Sequence, residues 1–392
     1  MKKSLYFSLI IYLMGTIFLL CSDFYVSKFF SESDVSTWAL LKSILFVCGG
    51  ICVFGFDQIM MRKPEIVNIV FKKYIFQVVA VSILMAMLVD FFFHNSINVY
   101  TVSLIIGLFA INQFWAATFR GDLRLVEAQV FTNGWKVFVL IYLLMGIKSV
   151  DLVYVFSLLT VLIINTYFIL TIKSKYLGKE YIDEKGLYKL GFFFLLNNLS
   201  VTIATYGEQI LINLFGDSTV SYDVFTYVLA FNSLMLLFSG FLGFYFGPKF
   251  KALKKFNYNM YKKYLIYFFV FSLGLSFLSF IAGAMIFNYY LSKDYNLIVV
   301  LFCILVGFIK VMYTIPSVCV ALYCSAKQVQ KIATFNLFNM IFFILGMYIL
   351  LVYIPVNKTI GVFIMISVHW FLRLLNTHSN IRNSLRVQNV NS

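Results

Sequence analysis

Lys42, Lys136 and Lys310 each lie inside a long apolar run. An ammonium in hydrocarbon is costly, so such a residue marks a path, a wet cavity or a partner acid. Cations rich in hydrogen-bond donors are suited to holding an anion such as a phosphate. Lys310 lies about fifteen residues into its run, roughly 20 Å deep at 1.5 Å per residue, too deep to reach either interface comfortably. It is expected to face a wet cavity or an acid. Lys42 and Lys136 lie about seven residues in, roughly 10 Å deep, and either snorkel or line the same cavity. Asp23 and Glu208 sit towards the outer thirds of two further runs, the first and the seventh. They either pair with a lysine, exchange a proton, or stay as interfacial carboxylates in water. Asp57 with Arg62 and Lys63, and Arg120 with Asp122 and Arg124, cluster at run ends, where charge pairs fix helix termini. His94, His369 and His378 form no ligand or base constellation.

The elements that hold these residues must be membrane helices. Of 392 residues, 62% are hydrophobic and 12% charged, against about 45–50% and 25% in soluble domains. Too little polar surface exists to coat a water-soluble fold. A bilayer span needs about 20 apolar residues, and runs broken at charge clusters place twelve spans. They cover 5–30, 36–60, 74–93, 99–119, 129–147, 151–172, 187–215, 222–247, 264–290, 296–324, 332–352 and 357–375. The expected fold is all-α and polytopic. Lys2 and Lys3 imitate a signal peptide, but the run that follows continues towards Phe30 without a small-residue cleavage site, so it is read as the first span. The six cysteines, Cys21, Cys48, Cys52, Cys303, Cys319 and Cys324, lie in or beside apolar runs without a Cys-x-x-Cys pair. They read as small buried hydrophobes, and no metal site is expected.

Charge sets the orientation. With the N-terminus in the cytoplasm, the cytoplasmic segments carry 24 lysines and arginines, Arg373, Arg382 and Arg386 among them, and the outer loops carry four. This six-to-one bias follows the positive-inside rule and puts both termini in the cytoplasm.

The chain also repeats itself weakly. Residues 26–36, VSKFFSESDVS, resemble 211–221, LINLFGDSTVS, and at the same offset Asp23 falls opposite Glu208. Pro64 and Pro248 close the second and eighth spans, and Phe71-Lys72-Lys73-Tyr74 returns as Tyr261-Lys262-Lys263-Tyr264. Six spans per unit gives two halves in the same orientation, 1–180 and 181–392, related by an axis along the membrane normal. Ser239, Gly243 and Gly247 form a small-residue ridge suited to close helix contact.

Three stretches carry a family resemblance: Phe54-Gly55-Phe56-Asp57-Gln58-Ile59-Met60-Met61-Arg62, Gly207-Glu208-Gln209-Ile210-Leu211-Ile212-Asn213-Leu214-Phe215-Gly216, and Ala321 to Gln328 followed by Asn336 and Pro355. Together with the 6 + 6 order, they resemble the polysaccharide-transport branch of the multidrug/oligosaccharidyl-lipid/polysaccharide exporter superfamily. The chain looks like the O-antigen and capsule repeat-unit flippases, although Glu208 stands where that family usually has Asp. The resemblance implies a MATE-like fold of twelve helices in two six-helix bundles. It also implies a bacterial cytoplasmic (inner) membrane location and no cofactor. The expected substrate is an undecaprenyl-diphosphate-linked oligosaccharide. Expected partners are membrane lipids and the polymerase or other polysaccharide-assembly membrane proteins, and not nucleic acid.

On that resemblance, Lys310, Lys42 and Lys136 are candidates for the substrate cavity. Glu208 and Asp23 are candidates for ion coupling or charge pairing. Asp57, Arg62, Arg120 and Arg124 are candidates for the cytoplasmic mouth. An enzyme is not expected, because no large outer loop, acidic metal site or phosphate-cradling glycine loop is present. The alternative is a drug or small-cation exporter of the same fold, which calls for carboxylates and aromatics rather than lysines in the cavity.

Overall fold

The computed structural model describes residues 2–93, 98–177, 184–251, 256–324, 326–354 and 357–390. The expected boundary at 180/181, together with His94, Ser325 and Pro355, lies outside the described residues. All regular structure among the described residues is helical. The chain divides into two compact units, Met1–Ile210 and Leu211–Ser392.

The first unit holds α1 (Lys2–Phe29), α2 (Glu32–Val53), α3 (Phe56–Arg62), α4 (Val67–Phe93), α5 (Val99–Gly121), α6 (Leu125–Leu144), α7 (Val150–Ile164), α8 (Thr166–Lys175) and most of α9 (Glu184–Phe215). Its organising helix is α5, which packs against α2, α3, α4, α6 and α7. Against α6 lies α1, and Gly15 makes that approach possible. A Cβ at Gly15 would sit 2.7 Å from Asn133 Cβ, closer than carbon atoms pack. The break between α2 and α3 is made by Phe54 and Gly55, both left-handed at φ 52° and 75°. Glycine takes that region without strain, and here it also lets the chain run against the Gly191 carbonyl of α9.

The second unit holds α10 (Ser218–Lys251), α11 (Tyr258–Met285), α12 (Leu297–Tyr323), α13 (Ala326–Tyr353) and α14 (Lys358–Val390), with a π-helical turn, Ile286–Leu291, closing α11. Here α12 is central, packed on α10, α11 and α14, while α13 packs on α14. The small-residue ridge of α10 meets α12 as its composition suggests. Ser239 and Thr314 hydroxyls are 2.7 Å apart, and the Cβ position of Gly243 is 3.7 Å from Thr314 Cγ2.

Helix starts follow capping chemistry. Ser31 accepts from the Asp34 amide at α2, Asn98 from Tyr100 at α5, Asn257 from Met260 at α11, and Asn296 from Ile298 at α12. Asp217 does the same for Val220 at α10. The repeated segments 26–36 and 211–221 are thus two turns that each open a helix.

Among the described residues, nine helices are long and apolar enough to cross a membrane, or ten if the bent pair α7–α8 is one span. Of the twelve expected spans, the fifth and seventh fall on α6 and α9, which are helical but outside that set. The reason in α6 is its polar content: Glu127, Gln129, Thr132, Asn133 and Lys136 dilute the apolar run. Of these, Gln129 and Asn133 are buried and the other three half-buried. Membrane helices turn such groups inward, because lipid offers them no partner. Outward faces are apolar, as along α4, where Phe76, Leu84, Met87 and Phe91 are exposed. Cys21 belongs to such a face: it continues the exposed stripe Ile10, Met14, Ile17 of α1 and is itself exposed, while Cys324 is half-buried. The expectation that all six cysteines are buried therefore holds only for Cys48, Cys52, Cys303 and Cys319.

Candidate functional site

Two polar clusters are built into the helical interiors, one in each unit. In the first, the short turn between α1 and α2 sets Asp23 beside Trp38 and Lys42. The Lys42 ammonium lies 2.5 Å from Asp23 Oδ2, and the Trp38 indole N–H donates to Asp23 Oδ1 at 2.8 Å. Asp23 is therefore not an interfacial carboxylate in water: its side chain is 7% exposed. Lys42 does not snorkel away from this acid but reaches it.

Tyr154 of α7 stacks on Trp38 with ring centroids 4.7 Å apart, and Trp135 lies 6.2 Å from the same tyrosine ring. The Tyr154 hydroxyl is buried with no hydrogen-bond partner among the described residues. On α6, Lys136 donates to Asn133 Oδ1 at 2.6 Å, and Asn133 in turn donates to Gln129 Oε1 at 2.5 Å. The three residues recur at helical spacing, so one face of α6 carries a short chain of polar groups over two turns. Glu208 of α9 is also buried. Its equivalence with Asp23 is one of sequence offset and of burial.

In the second unit, Lys310 occupies the midpoint of the 27-residue α12. Its ammonium lies 5.1 Å from the Trp370 ring centroid on α14. The Arg373 guanidinium stands 5.7 Å from the same ring and 5.4 Å from Tyr313. Trp370 and Tyr313 meet edge to face at 5.6 Å. Two cations thus share one indole, whose π-face offers each a favourable contact. His369 is buried beside them, and neither of its ring nitrogens has a hydrogen-bond partner among the described residues. Asn339 of α13 donates to the His369 carbonyl at 2.9 Å.

The charge around this cluster is one-sided. Residues 211–392 contain 14 lysines and arginines but three acids, Asp217, Asp223 and Asp294. All three are exposed, and α11, α12, α13 and α14 contain no acidic residue. By contrast, residues 1–210 contain 17 basic and 13 acidic residues.

Arg373 corrects the sequence reading, which placed it in a cytoplasmic segment. The candidate span runs Lys358–Leu385, not 357–375, and Arg373 is 2% exposed inside it. The apolar signal ends early because α14 turns a polar stripe inward: His369, Arg373, Thr377, Asn380 and Ser384 are all buried. Their spacing of three and four residues is a helix-face signal that marks them in the sequence. His378 Nδ1 lies 3.0 Å from the Tyr261 hydroxyl.

The remaining candidates lie at helix ends of the first unit. Asp57 takes a hydrogen bond from Gln58 at 3.0 Å and lies in the field of Arg120. Arg62 packs over the Phe194 ring at 4.6 Å. Arg124 pairs with Glu127 at 2.8 Å, and Asp122 with Lys175 at 2.5 Å and Tyr176 at 2.6 Å. Asp122 therefore ties α5 to α8 rather than to Arg120. Among the described residues, no group of three His, Cys, Asp or Glu side chains is placed to hold a metal ion.

No protein-family model, curated protein or solved structure matches this chain.

Proposed function

We propose that the protein is a flippase for undecaprenyl-diphosphate-linked oligosaccharide repeat units. It would carry them from the cytoplasmic to the outer leaflet of the bacterial cytoplasmic membrane for O-antigen, capsule or related polysaccharide assembly. In this reading the chain has twelve membrane helices in a MATE-like pair of six-helix halves working by alternating access, with both termini in the cytoplasm. The polymerase and other assembly proteins of the membrane are its working partners.

The observation that carries the reading is the grouping of Lys310 and Arg373 around Trp370 on α12 and α14, two helices that hold no acid. Buried charge in a membrane helix is expensive and persists where function needs it. A diphosphate supplies acceptor oxygens for an ammonium and a planar guanidinium, and charge-assisted hydrogen bonds of this kind are the strong ones. An exporter of organic cations would want an available carboxylate. Of the two acids buried among the described residues, Asp23 is engaged by Lys42 and Trp38, and neither Asp23 nor Glu208 belongs to the unit of Lys310 and Arg373, which favours the anionic substrate.

Glu208 and Asp23 are the coupling candidates. If Glu208 exchanges protons during the cycle, Glu208→Gln abolishes transport at normal expression while Glu208→Asp retains it; full activity in Glu208→Gln removes the role. The substrate class is tested by deleting the gene. The reading expects a lipid-diphosphate oligosaccharide to accumulate in the inner leaflet and surface glycan to vanish. Unchanged glycan with a gain in sensitivity to organic cations selects the exporter instead.

A further inference from the structure

A cavity of about 530 Å³ in the first unit is lined by Phe54, Lys72, Lys73, Phe76, Gln77 and Tyr188, with Val81 one turn further along α4. It lies at the start of α4, the end that the basic bias assigns to the cytoplasm. Both amide atoms of Gln77 are buried, and neither has a hydrogen-bond partner among the described residues. An amide shielded from water with both ends unpaired is unfavourable, so a ligand offering a donor and an acceptor together is favoured there. Lys72 and Lys73 are exposed at the rim and add positive charge. Beyond the rim, α4 shows lipid an apolar face in which Phe76 is 78% exposed and Val79 and Ile83 follow.

From these features we infer that the cavity is a binding site for an anionic phosphoglycerol-headed membrane lipid. Lysine ammonium groups and Gln77 Nε2 meet the phosphate oxygens. A headgroup hydroxyl donates to Gln77 Oε1, and the acyl chains lie along the outer face of α4. Basic pockets at the cytoplasmic end of membrane helices suit such headgroups. The second unit supplies an internal control. Its lysine pair, Lys262 and Lys263, opens α11 in the same sequence frame, but the position matching Gln77 is Tyr267. There the Lys263 ammonium lies 5.7 Å from the Tyr267 ring centroid, and the unpaired amide is missing from the pattern. This inference stands apart from the transport reading and survives its failure.

The test uses the full chain, purified in detergent and stripped of lipid, with bound lipid counted by native mass spectrometry during titration. Phosphatidylglycerol is expected to bind and phosphatidylcholine to bind far more weakly. At about fivefold per lysine, Lys72→Gln with Lys73→Gln weakens phosphatidylglycerol roughly 30-fold. Gln77→Leu weakens it by about tenfold, the value of a buried hydrogen-bond pair. Lys262→Gln with Lys263→Gln stays within about twofold of wild type. The exposed lysines leave folding intact, so a null result is informative. Three outcomes overturn the inference: equal binding of phosphatidylcholine, an equal loss in the Lys262/Lys263 pair, which makes the effect bulk charge, or full displacement by glycerol 3-phosphate, which makes the site one for a soluble anion.

Discussion

Replacing Asp23 with asparagine isolates the charge between α1 and α2 from its hydrogen bonding. The asparagine oxygen still accepts from the Trp38 indole, which donates at 2.8 Å in the native pair. What is lost is the ion pair with Lys42 at 2.5 Å, in which the acid is 7% and the lysine 20% exposed. A surface pair contributes about 1 kcal/mol or less, and breaking a fully buried one costs about 3–5 kcal/mol. The lysine's partial exposure places Asp23→Asn between them, at about 2 kcal/mol. Lys42→Met is worse, about 3 kcal/mol, because the buried carboxylate keeps only the indole and loses its counter-charge. The double variant removes both charges and costs less than the sum, leaving a coupling energy of about 2 kcal/mol. The assay is equilibrium unfolding of the purified chain in mixed micelles of rising SDS fraction, for wild type, both single variants and the double. A coupling below about 0.5 kcal/mol would show no functional ion pair and put Lys42 in the snorkelling position that its depth also allows.

Two further predictions concern the loop that opens α10 and the orientation of the chain. The Thr219 hydroxyl and the Val220 amide donate to Asp217 and hold its carboxyl below the usual range, with Lys358 at 3.8 Å adding a smaller effect. A lowered folded-state pKa contributes stability above the unfolded value of about 3.9 and loses it as pH falls through the folded value. Wild type should therefore exceed Asp217→Asn in melting temperature at pH 6, and the gap should close towards pH 3; a gap constant with pH contradicts the assignment. For orientation, single cysteines at Asp217 or Lys293 in a cysteine-free background should react with an impermeant thiol reagent applied to intact cells, and cysteines at Lys72 or Lys251 should not. Labelling of Lys251→Cys from outside reverses the topology.

Much of the helical layout is legible in the sequence because apolar runs and capping residues are local signals. The caps Ser31, Asn98, Asn257 and Asn296 sit where the runs begin, and the Ser239–Gly243 ridge marks a close helix contact. Lys310 is legible too, as a charge at mid-helix. The partners of these residues are not, because pairing across helices leaves no local signal. Asp23 meets Lys42 across 19 residues, and Lys310 of α12 meets Trp370 of α14. The placement of Arg373 fails for a physical reason. Hydropathy counts polar residues as evidence against a span, whereas a bundle buries them on its inward face. Reading α14 by helical face instead of by window recovers the stripe His369, Arg373, Thr377 that the average conceals.

In the proposed function, Lys310 and Arg373 together hold a lipid diphosphate. The direct measurement is translocation of undecaprenyl-diphosphate-linked oligosaccharide in proteoliposomes, for wild type, Lys310→Ala, Lys310→Arg and Arg373→Lys at equal incorporation. Each charge-assisted contact contributes about 1.5–3 kcal/mol, so Lys310→Ala should lower apparent affinity by about tenfold to a hundredfold. Lys310→Arg should retain part of the activity, since charge survives while shape changes. Arg373→Lys should lose more than Lys310→Arg, because the planar fork is replaced by a point charge. Wild-type transport by Lys310→Ala, with unchanged affinity for the diphosphate, would contradict the account and leave Lys310 as a packing residue against Trp370.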